Sequence, residues 1–369
     1  MSRLQDLEEA IRQSYLLIRQ LEEQLRLSGE VTEKARVHHE SEQQWGLIQG
    51  HWEEYLALCR RRRLAPDDDI QQICARFAPP ADERHVPLLV VVGKPAATAD
   101  SNWQDVLRTM EQWDFSPDHL QRDYGVGQAE LLIHQEAGLP NDNAARWIDF
   151  ARQFQARLEQ LCARVPGRRT FHLFVNGATA LGVGLGAAMG TLFQVIVYQW
   201  FPEYYPVVDF YTLAKTNPRG VHFLEEPVSR EFQFVHVEGD PADAAEVYVS
   251  LQLSGPDPRE AVAALVGRQE ENTGQRRGTV HITRREERLL NPQDDWLLCA
   301  REILTSLHQI FSTANRERVH LFLSAPVALG VALGLGLKYF RPVTVWNWSP
   351  PDQQYYPVLP LEQLGRTAM

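Results

Sequence analysis

The sequence predicts an α/β protein: two tandem Rossmann-like halves, each a parallel sheet with flanking helices, preceded by an N-terminal two-helix hairpin. Three observations carry this. Phe171–Trp200 (FHLFVNGATALGVGLGAAMGTLFQVIVYQW) returns as Val319–Trp348 (VHLFLSAPVALGVALGLGLKYFRPVTVWNW) at an offset of 148 residues without a gap. Each copy is followed by Tyr-Tyr-Pro-Val, at Tyr204–Val207 and Tyr355–Val358, and Trp147 and Trp296 open helical patterns just upstream. Apolar, β-branched runs alternate with helical stretches, which means parallel strands joined by right-handed crossovers. A duplicated unit of this kind implies a pseudo-two-fold body with a ligand crevice between its halves.

Residues 1–64 read as the hairpin. Leu4, Leu7, Ile11, Tyr15, Ile18 and Leu21 recur at spacings of three and four, a helical stripe. Ser28-Gly29 breaks the pattern, and a second helix carries Trp45, Ile48, Trp52, Tyr55 and Cys59 and ends in the run Arg60–Arg63, where cations suit a helix terminus. So short a hairpin buries little alone, so it is expected to pack on the body, a second copy or a partner. Residues 65–84 hold three prolines and an acidic run, a linker with one short helix near Ile70.

The first half is expected over residues 85–222. Val86–Val92 is a buried parallel strand and Trp103–Met110 a helix; Leu131–His134 is a strand, Trp147–Cys162 a helix, Phe171–Val175 a strand, Ala178–Leu192 a helix and Gln194–Tyr198 a strand. The second half, 223–369, repeats the order. Strands are expected at Glu246–Leu253, Val280–Thr283, Val319–Leu323 and Val343–Trp348, with helices at Arg259–Val266, Asp295–Phe311 and Val327–Tyr339.

Composition removes several classes. With a net charge of −11 the chain lacks the basic surface that duplex nucleic acid needs, though a locally positive pocket for a small anion remains possible. The four cysteines (Cys59, Cys74, Cys162, Cys299) have no metal or redox spacing and read as free thiols of a cytoplasmic protein. The charged N-terminus shows no signal peptide. Phe171–Pro202 carries no acid, Lys or Arg, but its twin holds Lys338 and Arg341 and its apolar parts resolve as strand, helix, strand, so no membrane span is expected. No metal-ligand cluster, P-loop, G-x-S-x-G or paired-acid motif marks a cofactor or a catalytic residue. His172 and His320 open matching strands without neighbouring ligands and read as structural. Gly182, Gly184 and Gly186 sit inside a helix, where close helix packing explains them better than a dinucleotide.

Ligands of such sheets bind beyond the carboxyl ends of strands, at helix N-termini. Four strand-to-helix turns occupy that place: Gly93-Lys94, Ser254-Gly255, Asn176-Gly177-Ala178-Thr179 and Ser324-Ala325-Pro326. Their small residues offer backbone N–H groups to phosphates, Asn176, Thr179 and Ser324 add side-chain hydrogen bonds, Lys94 supplies charge, and Pro326 suits a first helical turn. Trp200 and Trp348 end matching strands, where their faces either stack on bases or close the core.

At the motifs HLFVNGATALGVGLGAAMG…YYPVV and HLFLSAPVALGVALGLGL…YYPVL the chain resembles the SAVED family from about Arg84 to Leu361, the second copy being the closer match. The resemblance implies two fused CARF-like halves that sense a cyclic oligonucleotide in CBASS or type III CRISPR antiviral defence, commonly joined to an effector. Residues 1–64 have no room for an effector enzyme, which makes the hairpin an adaptor to a separate effector protein. The first copy has Ala178 where the second has Pro326, which leaves the ligand geometry on that side open. The expected ligand is a cyclic oligoadenylate, the trimer favoured, with ligand-driven self-association into a head-to-tail oligomer or filament displaying Ile11, Ile18 and Trp52 to the effector. The competing readings are a ring nuclease acting on the same ligand and a constitutive coiled-coil scaffold.

Overall fold

The computed structural model describes residues 3–27, scattered positions between 40 and 70, and residues 84–365 apart from 114, 191–192, 217–222, 225, 229–230, 242–243, 287–289, 313–315 and 339–341. Ser28, Gly29, Trp45, Trp52, the Arg60–Arg63 run, most of the 65–84 linker and Arg341 lie outside the described residues. The chain divides into two compact units, Met1–Glu83 and Arg84–Met369.

In the first unit, α1 (Arg3–Leu27) lays Leu7, Ile11 and Ile18 against Ile48, Tyr55, Cys59 and Ile70. Tyr55 ties this core together: its hydroxyl donates to Glu8 (3.0 Å) and accepts from the Asp67 amide (2.9 Å), and burial pushes its pKa up to about 12. Arg3 adds a two-pronged contact to Glu54 at 2.8 and 2.9 Å. The expectation that Ile11 and Ile18 face a partner is therefore wrong. The stripe they belong to is the face that must be covered for two helices to hold together, and both are fully buried. Among the described residues of this unit, the exposed large apolar ones are Leu16, Leu17 and Leu47.

The second unit contains both repeats. The first sheet runs β2-β1-β3-β4-β5, from β1 (Arg84–Val92), β2 (Leu132–Gln135), β3 (Arg169–Asn176), β4 (Gln194–Trp200) and β5 (Tyr204–Asp209). The second runs β11-β10-β9-β7-β8-β6, from β6 (Val235–Asp240), β7 (Glu246–Gln252), β8 (Gly278–Arg284), β9 (Arg318–Ser324), β10 (Val343–Ser349) and β11 (Gln354–Pro360). The longer helices among the described residues are α2 (Ala96–Met110), α3 (Pro117–Tyr124), α4 (Ala144–Arg164), α5 (Thr179–Met189), α6 (Phe210–Thr216), α7 (Arg259–Thr273), α8 (Trp296–Ser312) and α9 (Val327–Leu337).

The parallel strands fall where expected, but each sheet is mixed. β5 and β11, the Tyr-Tyr-Pro-Val segments, pair antiparallel with β4 and β10, and β6 is a further antiparallel edge. Pro206 and Pro357 fit an edge strand, where a missing N–H costs no ladder bond. Even the irregularity is duplicated: the register slips between Val197 and Tyr198 and again between Val345 and Trp346.

The two halves are fused through α5 and α9. A Cβ at Gly182 would stand 2.5 Å from the Val327 carbonyl oxygen, and one at Gly330 would stand 2.6 Å from that of Thr179. A Cβ at Gly186 would likewise stand 2.1 Å from the Val331 carbonyl oxygen, and one at Gly334 would stand 2.1 Å from that of Val183. Each contact is the 148-residue image of its partner, so the seam is an internal two-fold interface, and only glycine admits the backbones this closely. The glycines thus serve packing. In the second half the fully buried Glu302 carboxylate accepts the Gln233, Phe234 and Val235 amides at 2.6, 2.8 and 3.2 Å, fastening the start of β6 to α8.

Candidate ligand site at the seam between the repeats

Beneath the rim both repeats build the same aromatic layer. In the first, Phe174 stacks on Tyr198 at 4.3 Å and meets Tyr204 edge-on at 4.9 Å; in the second, Phe322 stacks on Trp346 at 4.9 Å and meets Tyr355 edge-on at 5.2 Å. Each layer ends on a histidine. Trp113 Nε1 donates to Tyr198 Oη at 3.0 Å, which leaves the Tyr198 hydroxyl to donate to His172 Nδ1 at 2.9 Å; His172 Nε2 then faces His85 Nδ1 at 2.8 Å. Trp346 Nε1 donates to His320 Nδ1 at 3.1 Å. Burial, ahead of any neighbouring charge, holds His172 at about 2 and His320 at about 4, so both are neutral structural residues.

Above this layer lie the predicted turns. Gly93 closes β1 in the left-handed region (φ +73°), and the Lys94 carbonyl accepts from His134 Nε2 at 2.8 Å while the Lys94 side chain is exposed. Ser254 and Gly255 (φ +71°) close β7. The Leu253 and Ser254 amides donate to the Ser324 carbonyl at 2.8 and 2.9 Å, and the Ser324 hydroxyl donates back to the Ser254 carbonyl. The Ser324 hydroxyl therefore joins two turns. Pro326 is the residue before α9, not in its first turn, with φ −60° and ψ 145°; Ala178 holds the same place before α5 with φ −69° and ψ 151°. The missing proline in the first copy leaves the backbone unchanged there.

Five of the predicted residues come together. Asn176, Gly177, Thr179, Trp200 and Ala325 line a cleft of about 290 Å³, with Asn102, Val175, Gln199, Tyr204 and Val327 completing its walls. It sits at the carboxyl ends of β3 and β4 and reaches across the seam to the first residues of α9, so it is built by both repeats. Two bonds cross there: Thr179 Oγ1 donates to the Ala325 carbonyl, and Gln199 Oε1 accepts from the Ala328 amide at 3.3 Å. Gly93, Lys94, Ala178, Ser254, Gly255, Ser324, Pro326 and Trp348 are not among its walls. Trp200 is 45% exposed and packs edge-on to Tyr204 at 5.0 Å, whereas Trp348 is half-buried and tilted on Tyr355 at 5.0 Å. Asn102 and Gln199 were missed. Gln199 lies inside the repeat, next to Trp200; Asn102 has no counterpart in the second copy to draw attention to it.

No wall residue is an acid, Lys, Arg or His. The one titratable wall group is Tyr204, whose hydroxyl burial pushes up. Amides, a hydroxyl and an aromatic face recognise flat polar groups without charge transfer, while the unpaired amides at the start of α5, which has no side-chain cap, suit an anion beside them. Among the described residues no group of His, Cys, Asp or Glu is placed to hold a metal ion, and no helix is long and apolar enough to cross a membrane.

Comparison with known proteins adds three findings. Residues 213–361 match the family model of SAVED, described as the SMODS-associated and fused to various effectors sensor domain. No curated protein matches in sequence. The chain is distantly similar to solved structures of a Cap4 SAVED/CARF-domain containing receptor from Acinetobacter baumannii with the cyclic trinucleotides 2'3'3'-cAAA or 3'3'3'-cAAA, each at 14% identity and a TM-score of 0.47, covering 93% of this chain and 61% of that one. It is similar to a Moraxella osloensis Cap4 receptor at 13% identity and a TM-score of 0.44, covering 98% of this chain and 78% of the other. The chain thus spans about three fifths of the length of the Acinetobacter receptor. The family match thus covers the second repeat, and residues 213–361 are similar to the SAVED sensor domain.

Proposed function

We propose that this chain is a sensor that binds a cyclic oligoadenylate, cyclic tri-adenylate in particular, in the cleft where its two CARF-like halves meet. The observation that carries this reading is the cleft itself: one recess built by both repeats, at helix N-termini, with an exposed indole on one wall. The receptors from Acinetobacter baumannii are described with cyclic trinucleotides of adenine, in accord with the ring size proposed. The wall chemistry favours binding over cleavage, because no carboxylate, imidazole or lysine stands where a ribose hydroxyl would need a base.

The signal is proposed to leave the protein by assembly. Two repeats with unequal rims make unequal ends, and unequal ends favour heterologous, head-to-tail contacts that extend into filaments when the rotation does not close. The first unit would then be displayed as an array to a separate effector of antiviral defence through Leu16, Leu17 and Leu47 rather than through the buried Ile11 and Ile18. Light scattering with saturating cyclic tri-adenylate is expected to show a rise in mass; an unchanged mass removes ligand-driven assembly but leaves sensing intact. Mass spectrometry of the ligand after incubation is expected to return it whole, and a linear product would establish the ring-nuclease reading instead.

A further inference from the structure

One buried side-chain donor of the cleft wall has no partner in the protein. Asn102 lies on α2, outside the repeated segments, and forms part of the cleft wall. Its side-chain amide nitrogen Nδ2 is shielded from water and has no acceptor. Leaving a buried donor unsatisfied is a cost that is removed when an acceptor enters. The residue itself is only half-buried, and its side chain forms part of the cleft wall.

Its neighbours say what kind of acceptor belongs there. Trp200 presents an exposed indole and Tyr204 backs it, while the remaining walls are small or apolar apart from Asn176, Thr179 and Gln199. At about 290 Å³ the recess falls just below the range for small-molecule sites, about 300–1,000 Å³, so it suits one flat group and not an entire ring of nucleotides. A primary amide beside an aromatic face is a purine-reading pair. Its N–H donates to N7 and its C=O accepts from the 6-amino group of adenine; guanine presents a carbonyl at that position, which sets acceptor against acceptor.

We infer that Asn102 reads the base seated in this cleft and selects adenine over guanine, with Trp200 as the stacking face. The inference rests on the proposed sensing of a cyclic oligonucleotide and adds the residue that sets its base. The test titrates the full chain with cyclic tri-adenylate and with cyclic tri-guanylate. Wild type is expected to prefer the adenylate. Asn102→Ala is expected to lower adenylate affinity about tenfold to hundredfold and bring the two rings within about threefold of each other. Asn102→Asp, nearly the same shape but an acceptor only, is expected to move the preference toward guanine, whose N1–H and 2-amino group donate. A purely structural role would change both rings alike and leave the ratio intact. If wild type binds adenylate and both variants keep its affinity and preference, Asn102 is not the reader and the sensing proposal still stands. If wild type binds neither ring, the sensing proposal fails and takes this inference with it.

Discussion

The two repeats agree below the rim and differ on it. Phe174, Tyr198 and His172 in one correspond to Phe322, Trp346 and His320 in the other, and both sets stack and hydrogen-bond in the same order. At the rim, Gln199 reaches across the seam to the Ala328 amide at the start of a helix, while its counterpart Asn347 donates across to the Asn141 side chain of the first half at 2.8 Å. Thr179 carries a hydroxyl to the Ala325 carbonyl where Val327 has none. Trp200 stands exposed where Trp348 is half-covered. The duplication thus preserves the aromatic layer that holds each half together, while the residues lining the cleft differ between the copies. A symmetric ring meeting these two rims would be held unequally.

The seam is the place to break both repeats at once. Gly186→Val and Gly334→Val each drive a side chain into a facing carbonyl and are expected to destabilise by about 3 kcal/mol or more, to the same extent, in urea denaturation. Unequal losses would show that the internal two-fold is not energetically real. At the rim the expectation reverses. Trp200→Ala should cost about 1–3 kcal/mol in cyclic tri-adenylate affinity by loss of stacking, and Trp348→Ala should cost much less; equal losses in a titration would place the bases on both sides.

Acid probes the shared layer. His172 and His320 have folded pKa values lowered by burial, so below an unfolded value of about 6.5 the unfolded chain binds protons that the folded chain does not. Stability is full above that pH and should fall by up to about 1.4 kcal/mol per pH unit for each histidine as pH drops below it, down to about 4 for His320 and lower for His172. Replacing each by Gln in thermal melts should flatten this slope, and a slope unchanged in both variants would contradict the assignment. The smallest effect is a control: Gly267, on α7 with open space at its Cβ position, should gain about 0.5–1 kcal/mol on change to Ala.

The sequence made the repeat and the parallel strands readable because an ungapped 148-residue offset leaves little freedom in aligning strand with strand. The four strand-end turns were legible as runs of small residues, and two of them border the cleft. The antiparallel edges were not, since Tyr-Tyr-Pro-Val is short, contains a proline and offers little alternation to read. The face of α1 was misjudged because a stripe of Leu and Ile announces burial without saying against what, and its cover comes from Ile48, Tyr55 and Cys59. Asn102 stayed hidden because it lies outside the repeat and its value comes only from an unmet hydrogen bond that no pattern shows.

The central claim is that one recess, shared by both repeats, seats a base of a cyclic oligoadenylate. Isothermal calorimetry of the full chain with cyclic tri-adenylate tests it most directly. The account predicts micromolar or tighter binding, one ring per chain, lost in large part in Trp200→Ala and retained in Trp348→Ala. The absence of binding to cyclic di-, tri- and tetra-adenylate at micromolar concentrations would contradict it.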